Sequence, residues 1–250
     1  MISKEFIKEL AVKFQASEDN VAREYCQHLF LSYLNKLKGS QKLLFKGGTA
    51  LRIIFQSPRF SEDLDFSAIN SGNITIEEIN RLIDDVLFKM MEEGIQVSKT
   101  LNLGTAGETS GGYFASIAVK MLDFSSELRI QVSFRKPDQV VGNNTIINNS
   151  FVAPYLIHYL EEKILVSEKI EALLFRKKPR DFFDLYFILR DPLLVKSIPA
   201  KEGLKNKIFK AIDEAGDFEK ELKIFLPINF HPVLKDFKER LKKEIEIHIG

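Results

Sequence analysis

Asp63 and Asp65 alternate with Leu64 and Phe66 in Glu62-Asp63-Leu64-Asp65-Phe66-Ser67, and this period of two predicts a strand with both carboxylates on one face. Side chains at i and i+2 stand about 6.6 Å apart along a strand. Aspartate is depleted in strands, and like charges on one face repel, so the pair calls for a compensating cation. Hard oxygen donors suit Mg²⁺, which takes one or two carboxylates and fills its shell with substrate phosphates. A solvated strand end near a turn would carry the same pattern. Upstream, Gly47 and Gly48 follow the apolar run Leu43-Leu44-Phe45 and precede the apolar-periodic Thr49-Ala50-Leu51-Arg52-Ile53-Ile54-Phe55. That order predicts strand, tight turn and helix, with Pro58 ending the helix. Backbone N–H groups at a helix start, with no Cβ in the way, form a site for a phosphate; a plain turn uses glycines too.

A phosphate turn and a metal-binding pair in one short unit are what transfer from a nucleoside triphosphate requires. Gly47-Gly48 followed by Asp63-Leu64-Asp65 resembles the signature of the polymerase β-type nucleotidyltransferase superfamily. More narrowly, KGGTALR followed by RFSEDLDF resembles the AbiEii/AbiGii group of nucleotidyltransferase-like toxins. A second segment, SEKIEALLFR followed by PRDFFDL, is similar to that group's other signature, a helical lysine and an R-D-x-x-D element at the active cleft. Lys169, Asp181 and Asp184 match those positions. On spacing alone, Asp181 and Asp184 share a helix face, as do Lys169 and Arg176, and solvated faces or interhelical ion pairs would account for both.

The resemblance implies an α/β fold, a mixed sheet flanked by helices over 1–159, joined across a nucleotide cleft to a helical C-terminal lobe over 160–250. It implies that Gly47, Gly48, Thr49 and Arg52 hold the NTP, that Asp63 and Asp65 hold Mg²⁺, and that Lys169 neutralises developing phosphate charge. Asp184 or Asp181 would accept the acceptor's proton or position Lys169. The implied reaction moves a nucleoside monophosphate to a hydroxyl of a nucleic acid, a tRNA 3′ end, in a toxin neutralised by a cognate antitoxin. A small-molecule acceptor such as an antibiotic, or a degenerate binding module without turnover, stays open. In the AbiEii-like pattern a third acidic residue commonly stands on the strand 128–134; here the position is Gln131, which supplies no charge.

The elements that must position these residues read more simply. Amphipathic helices are expected at 3–14 and 21–37, then a helix from Thr75 whose Ile79, Leu82, Ile83, Val86 and Met90 line one face until Gly94. Turn residues fill 70–73. Strands are expected at 95–103, 113–122 and 128–134, with a hairpin tip at 104–112, and one or two more within 145–159. A helix from about 160 to Arg176 and another opening at Pro179 follow, then further helices over 201–249.

With 250 residues, 45% of them apolar, the chain can bury a sizeable core. A formal net charge of +1 excludes a generally basic nucleic-acid binder, so RNA would be met by local patches. The single cysteine, Cys26, excludes an internal disulfide and fits a reducing cytoplasm. Charge interrupts the N-terminus, so neither a signal peptide nor a membrane span is expected. His28, His158, His231 and His248 are scattered without zinc-ligand spacing.

Overall fold

The computed structural model describes residues 2–69, 74–101, 112–134 and 141–250. The turn expected at 70–73 lies outside the described residues, as does the hairpin tip expected at 104–112 except for its last residue. The chain divides into two compact units, one of Met1–Phe55 with Phe60–Leu160 and one of Gln56–Arg59 with Glu161–Gly250. The expected division at 159/160 leaves the short segment Gln56–Arg59 in the first part, whereas its contacts group it with the second.

The first unit is a mixed α/β fold. Its strands are β1 (Leu43–Lys46), β2 (Asp63–Ala68), β3 (Gln96–Leu101), β4 (Tyr113–Met121), β5 (Phe124–Ser133), β6 (Gly142–Ile147) and β7 (Tyr155–Leu160). They form one sheet in the order β3-β4-β5-β2-β1-β7-β6. β1 runs parallel to β7, and β2 parallel to β5; the other pairs are antiparallel. β5 begins earlier than the expected 128, because Leu122, at φ +53°, helps to make a two-residue turn in which Met121 pairs with Phe124. The polar residues 125–127 concealed that start.

Four helices accompany the sheet: α1 (Lys4–Phe14), α2 (Glu18–Leu34), α3 (Gly47–Phe55) and α4 (Ile76–Glu92). Local chemistry sets their ends. Ser3 caps α1 and Ser17 caps α2, each hydroxyl accepting a backbone N–H of the first turn, so α2 opens at Glu18 rather than 21 and closes at Leu34 rather than 37. Thr75 and Glu78 make a reciprocal capping box on α4. The expectation that α2 is simply amphipathic is corrected. It packs against α1, α4, β5 and β7, so Asn20, Glu24, Gln27, His28 and Ser32 are buried along with Val21, Leu29 and Phe30. Buried polar groups must find partners, and those of α2 matter for the site below.

The second unit is helical among its described residues: α5 (Glu162–Arg176), α6 (Pro179–Arg190), α7 (Leu204–Glu214), α8 (Phe218–Leu222), α9 (His231–Leu234) and α10 (Phe237–His248), with short 3₁₀ turns between some of them. α5 starts at Glu162 because residues through Leu160 pair in β7. Pro179 sits at the start of α6, where its missing N–H costs nothing. An aromatic core holds the unit: Phe183 stacks on Phe237 with centroids 6.0 Å apart, and Phe218 lies 5.0 Å from Phe237. No helix among the described residues is long and apolar enough to cross a membrane.

Cys26 is buried, and burial pushes its thiol up to about 12, which suits a small core residue rather than a nucleophile. His28 is buried on the same helix, with Nδ1 2.9 Å from the Tyr155 hydroxyl. Burial, aided by the Arg52 charge, pushes its imidazole down to about 3. The unfolded histidine takes up its proton near pH 6.5 while the folded one stays neutral, so stability falls as pH falls from 6.5 toward 3. Between pH 7 and 5 this one group should cost about 2 kcal/mol. Urea denaturation across that range is expected to show the loss in the parent and a flatter profile in His28→Gln.

Candidate active site

In the first unit the antiparallel pairing of β1 with β2 places Lys46 opposite Asp65, so the first turn of α3 starts beside that aspartate. Gly47 has φ +83°, and a Cβ built on it would fall onto the Asp65 carboxylate, 2.9 Å from Asp65 Cβ. Only glycine permits that conformation and that approach together. The Thr49 hydroxyl, fully buried, donates to the backbone carbonyl of Asp63 and ties α3 to β2. Its proton is therefore committed, and what Thr49 can offer a phosphate is its backbone N–H. Gly48 is buried in the same turn.

Asp63 and Asp65 are half-buried on one face of β2, with Leu64 and Phe66 buried on the other. The parallel pairing with β5 sets Arg129 opposite Asp63 and Gln131 opposite Asp65. Among the described residues no group of three or more His, Cys, Asp or Glu side chains could hold a metal ion, so the donor set is two carboxylates with an amide across from one of them. This set fits Mg²⁺ that draws its remaining ligands from substrate phosphates and water, and it does not fit an ion caged by protein alone.

α2 braces both halves of this unit. Glu24 receives Arg52 of α3 in a bidentate pair, at 2.8 and 3.0 Å, while the guanidinium lies 4.0 Å over the Phe60 ring. One turn on, Gln27 donates to the carbonyls of Ser61 and Glu62, which lead into β2. Arg52, expected at the nucleotide, is thus engaged in holding α3 to α2.

The second unit gathers the other expected residues. Asp184 is 1% exposed and accepts from Arg59 through both oxygens, at 2.8 and 3.0 Å, and from the Lys169 ammonium at 2.7 Å. Burial works to raise its carboxyl, but the charges and hydrogen bonds of Arg59 and Lys169 prevail and hold it at about 2. Lys169 is buried rather than at the surface. Asp181 stands apart from this trio and takes a bidentate clasp from Arg176, at 2.9 and 2.7 Å. Sequence reasoning missed Glu24, Arg59 and Arg129. Arg59 lies inside the quoted RFSEDLDF, and its type and position were the one available signal.

The sequence model of the family described as "Nucleotidyl transferase AbiEii toxin, Type IV TA system" matches residues 29–246. No curated protein matches the chain. Among solved structures, JHP933 from Helicobacter pylori superposes with a TM-score of 0.61 at 20% identity, over 93% of this chain and 92% of its own. MenT4, a nucleotidyltransferase toxin from Mycobacterium tuberculosis H37Rv, superposes with a TM-score of 0.59 at 17% identity, over 98% of this chain and 88% of its own. At such identities the likeness shows a shared fold.

The Gly47 approach has a measurable cost. Gly47→Ala is expected to lose more stability than Gly203→Ala in chemical denaturation. Gly203 has φ +70° with nothing within 4 Å of a built Cβ, so its substitution reads out the backbone strain alone, about 1–2 kcal/mol. The excess at Gly47 measures the overlap with Asp65.

Proposed function

Because the chain belongs to the nucleotidyl transferase AbiEii toxin family, we propose that this nucleotidyltransferase moves a nucleoside monophosphate from an NTP to a hydroxyl of a nucleic acid, specifically a tRNA 3′ end. The observation that carries the reading is the pair of carboxylates sharing one face of β2 with the first turn of α3 packed against Asp65. The acceptor oxygen forms a bond to the α-phosphorus as the bond to the β,γ-pyrophosphate breaks; the hydroxyl proton passes to water, and pyrophosphate leaves. Backbone N–H groups of Gly47, Gly48 and Thr49 hold triphosphate oxygens. Mg²⁺ held by Asp63 and Asp65 would offset charge on the phosphate oxygens when bound.

Lys169 neutralises charge that develops in the transfer. The pairing at 2.7 Å supports Asp184 as the residue that orients this ammonium. A carboxyl held at about 2 is a weak base, which speaks against Asp184 as the proton acceptor. Asp181, engaged by Arg176, serves the turn between α5 and α6, and Arg52 braces α3. The family's description as part of a type IV toxin–antitoxin system supports a cognate antitoxin as partner.

Incubation with each α-labelled NTP, Mg²⁺ and total bacterial RNA is expected to label tRNA; label confined to small molecules or protein would overturn the acceptor assignment. Asp65→Asn is expected to abolish transfer with the fold intact. Lys169→Ala should lower the rate about a hundredfold, whereas a lysine without a part in the chemistry would leave it within a few-fold.

A further inference from the structure

The turn between α5 and α6 carries Phe175-Arg176-Lys177-Lys178-Pro179-Arg180, an aromatic ring among basic residues. Phe175 is 90% exposed, more than any other large apolar side chain among the described residues. At that exposure the ring buries almost no surface in the fold, so packing does not explain it. Lys177, at φ +50°, ends α5 in the left-handed region where glycine is the usual residue, and Arg176, Lys177 and Lys178 are all exposed. Two of the cations are engaged: Arg176 clasps Asp181, and Lys177 pairs with Glu214. Glu171, one turn before Phe175, approaches Lys201 at 3.9 Å. Among the described residues the side chains of Lys178 and Arg180 enter no hydrogen bond or ion pair. Lys178 follows Phe175 by three residues, a reach of at most about 11 Å along the chain.

We propose that the α5–α6 turn is a docking surface for a single-stranded segment of RNA, with an unpaired base stacked on Phe175 and the flanking phosphates met by Lys178 and Arg180. The inference rests on the reading that the acceptor is a nucleic acid. With a formal net charge of +1 over the whole chain, affinity for RNA has to come from a local patch of this kind. A ring open to solvent stacks on a base only where that base is splayed out of a duplex, and a polyanion supplies phosphates to cations that no carboxylate holds. A protein interface of standard size instead buries about 800 Å² per partner around an apolar centre, and Phe175 is the one exposed large apolar side chain in this turn.

Fluorescence anisotropy of a short labelled single-stranded RNA with the full-length protein, at salt from about 50 to 200 mM, tests this apart from turnover. Phe175→Ala is expected to weaken binding about tenfold at every salt concentration and to leave the slope of log affinity against log salt as in the parent, because a stacked base releases no counterion. Lys178→Ala and Arg180→Ala should each reduce that slope by about 0.7, the share of one phosphate contact. Phe175→Tyr, which keeps a ring, should stay within about threefold of the parent. Phe175 and Lys178 are exposed, so their variants leave the core intact and carry the comparison. If the same strand annealed to its complement binds the parent as tightly, or if Phe175→Ala and Lys178→Ala bind the strand as the parent does, the proposal falls while the acceptor reading stands. If polyglutamate binds as tightly as the RNA and suffers the same losses in both variants, the turn serves an acidic protein segment and the proposal falls. If the parent binds neither the strand nor total bacterial tRNA, the acceptor reading falls, and the proposal with it.

Discussion

The close approach of the α3 start to Asp65 is the constraint on which the first unit depends. Strand register brings residue 46 opposite Asp65, the helix must begin at the next residue, and the space a side chain would need there is taken by a carboxylate. Glycine at 47 lets one turn of backbone lie against a charged side chain without a β-carbon between them. Everything nearby reinforces that contact. The Thr49 hydroxyl fastens the helix to β2, and Glu24 and Gln27, on one face of α2, hold the helix and the approach to the strand from a third element.

Charge is distributed differently in the two units. In the first unit the guanidinium of Arg129 meets three carboxylates, those of Asp63, Glu62 and Glu127. In the helical unit one buried carboxylate, Asp184, serves two cations. A buried charge persists only where partners and hydrogen bonds offset its desolvation, and Asp184 meets that condition through three donors.

Much of this was legible in the sequence for identifiable reasons. Period-two alternation placed Asp63 and Asp65 on one face, paired glycines marked the α3 turn, and Thr75 with Gly94 bracketed α4. What could not be read was register. Nothing in a linear pattern says that residue 129 of one strand will stand beside residue 63 of another, or that Arg59 will find a carboxylate in a helix far along the chain. The burial of polar residues on α2 was not legible for a related reason: the partners of Glu24 and Gln27 lie in α3 and just before β2. The start of β5 was hidden because Ser125, Ser126 and Glu127 pair with β4 through backbone groups, which any residue supplies.

Arg59 and Asp184 lie 125 residues apart, and the segment Gln56–Arg59 belongs to a unit whose remaining residues begin at Glu161. The helical unit is therefore discontinuous in the chain, and vectorial synthesis cannot complete it from one end. While the polypeptide emerges from the ribosome, Arg59 is made long before its carboxylate partner exists. The Asp184 carboxylate becomes available to it only once α6 has been produced. A chain ending after Leu160 would leave that guanidinium without the carboxylate that compensates it, so the first unit cannot be cut out along the sequence without also releasing the residues that lead into its own aspartate strand.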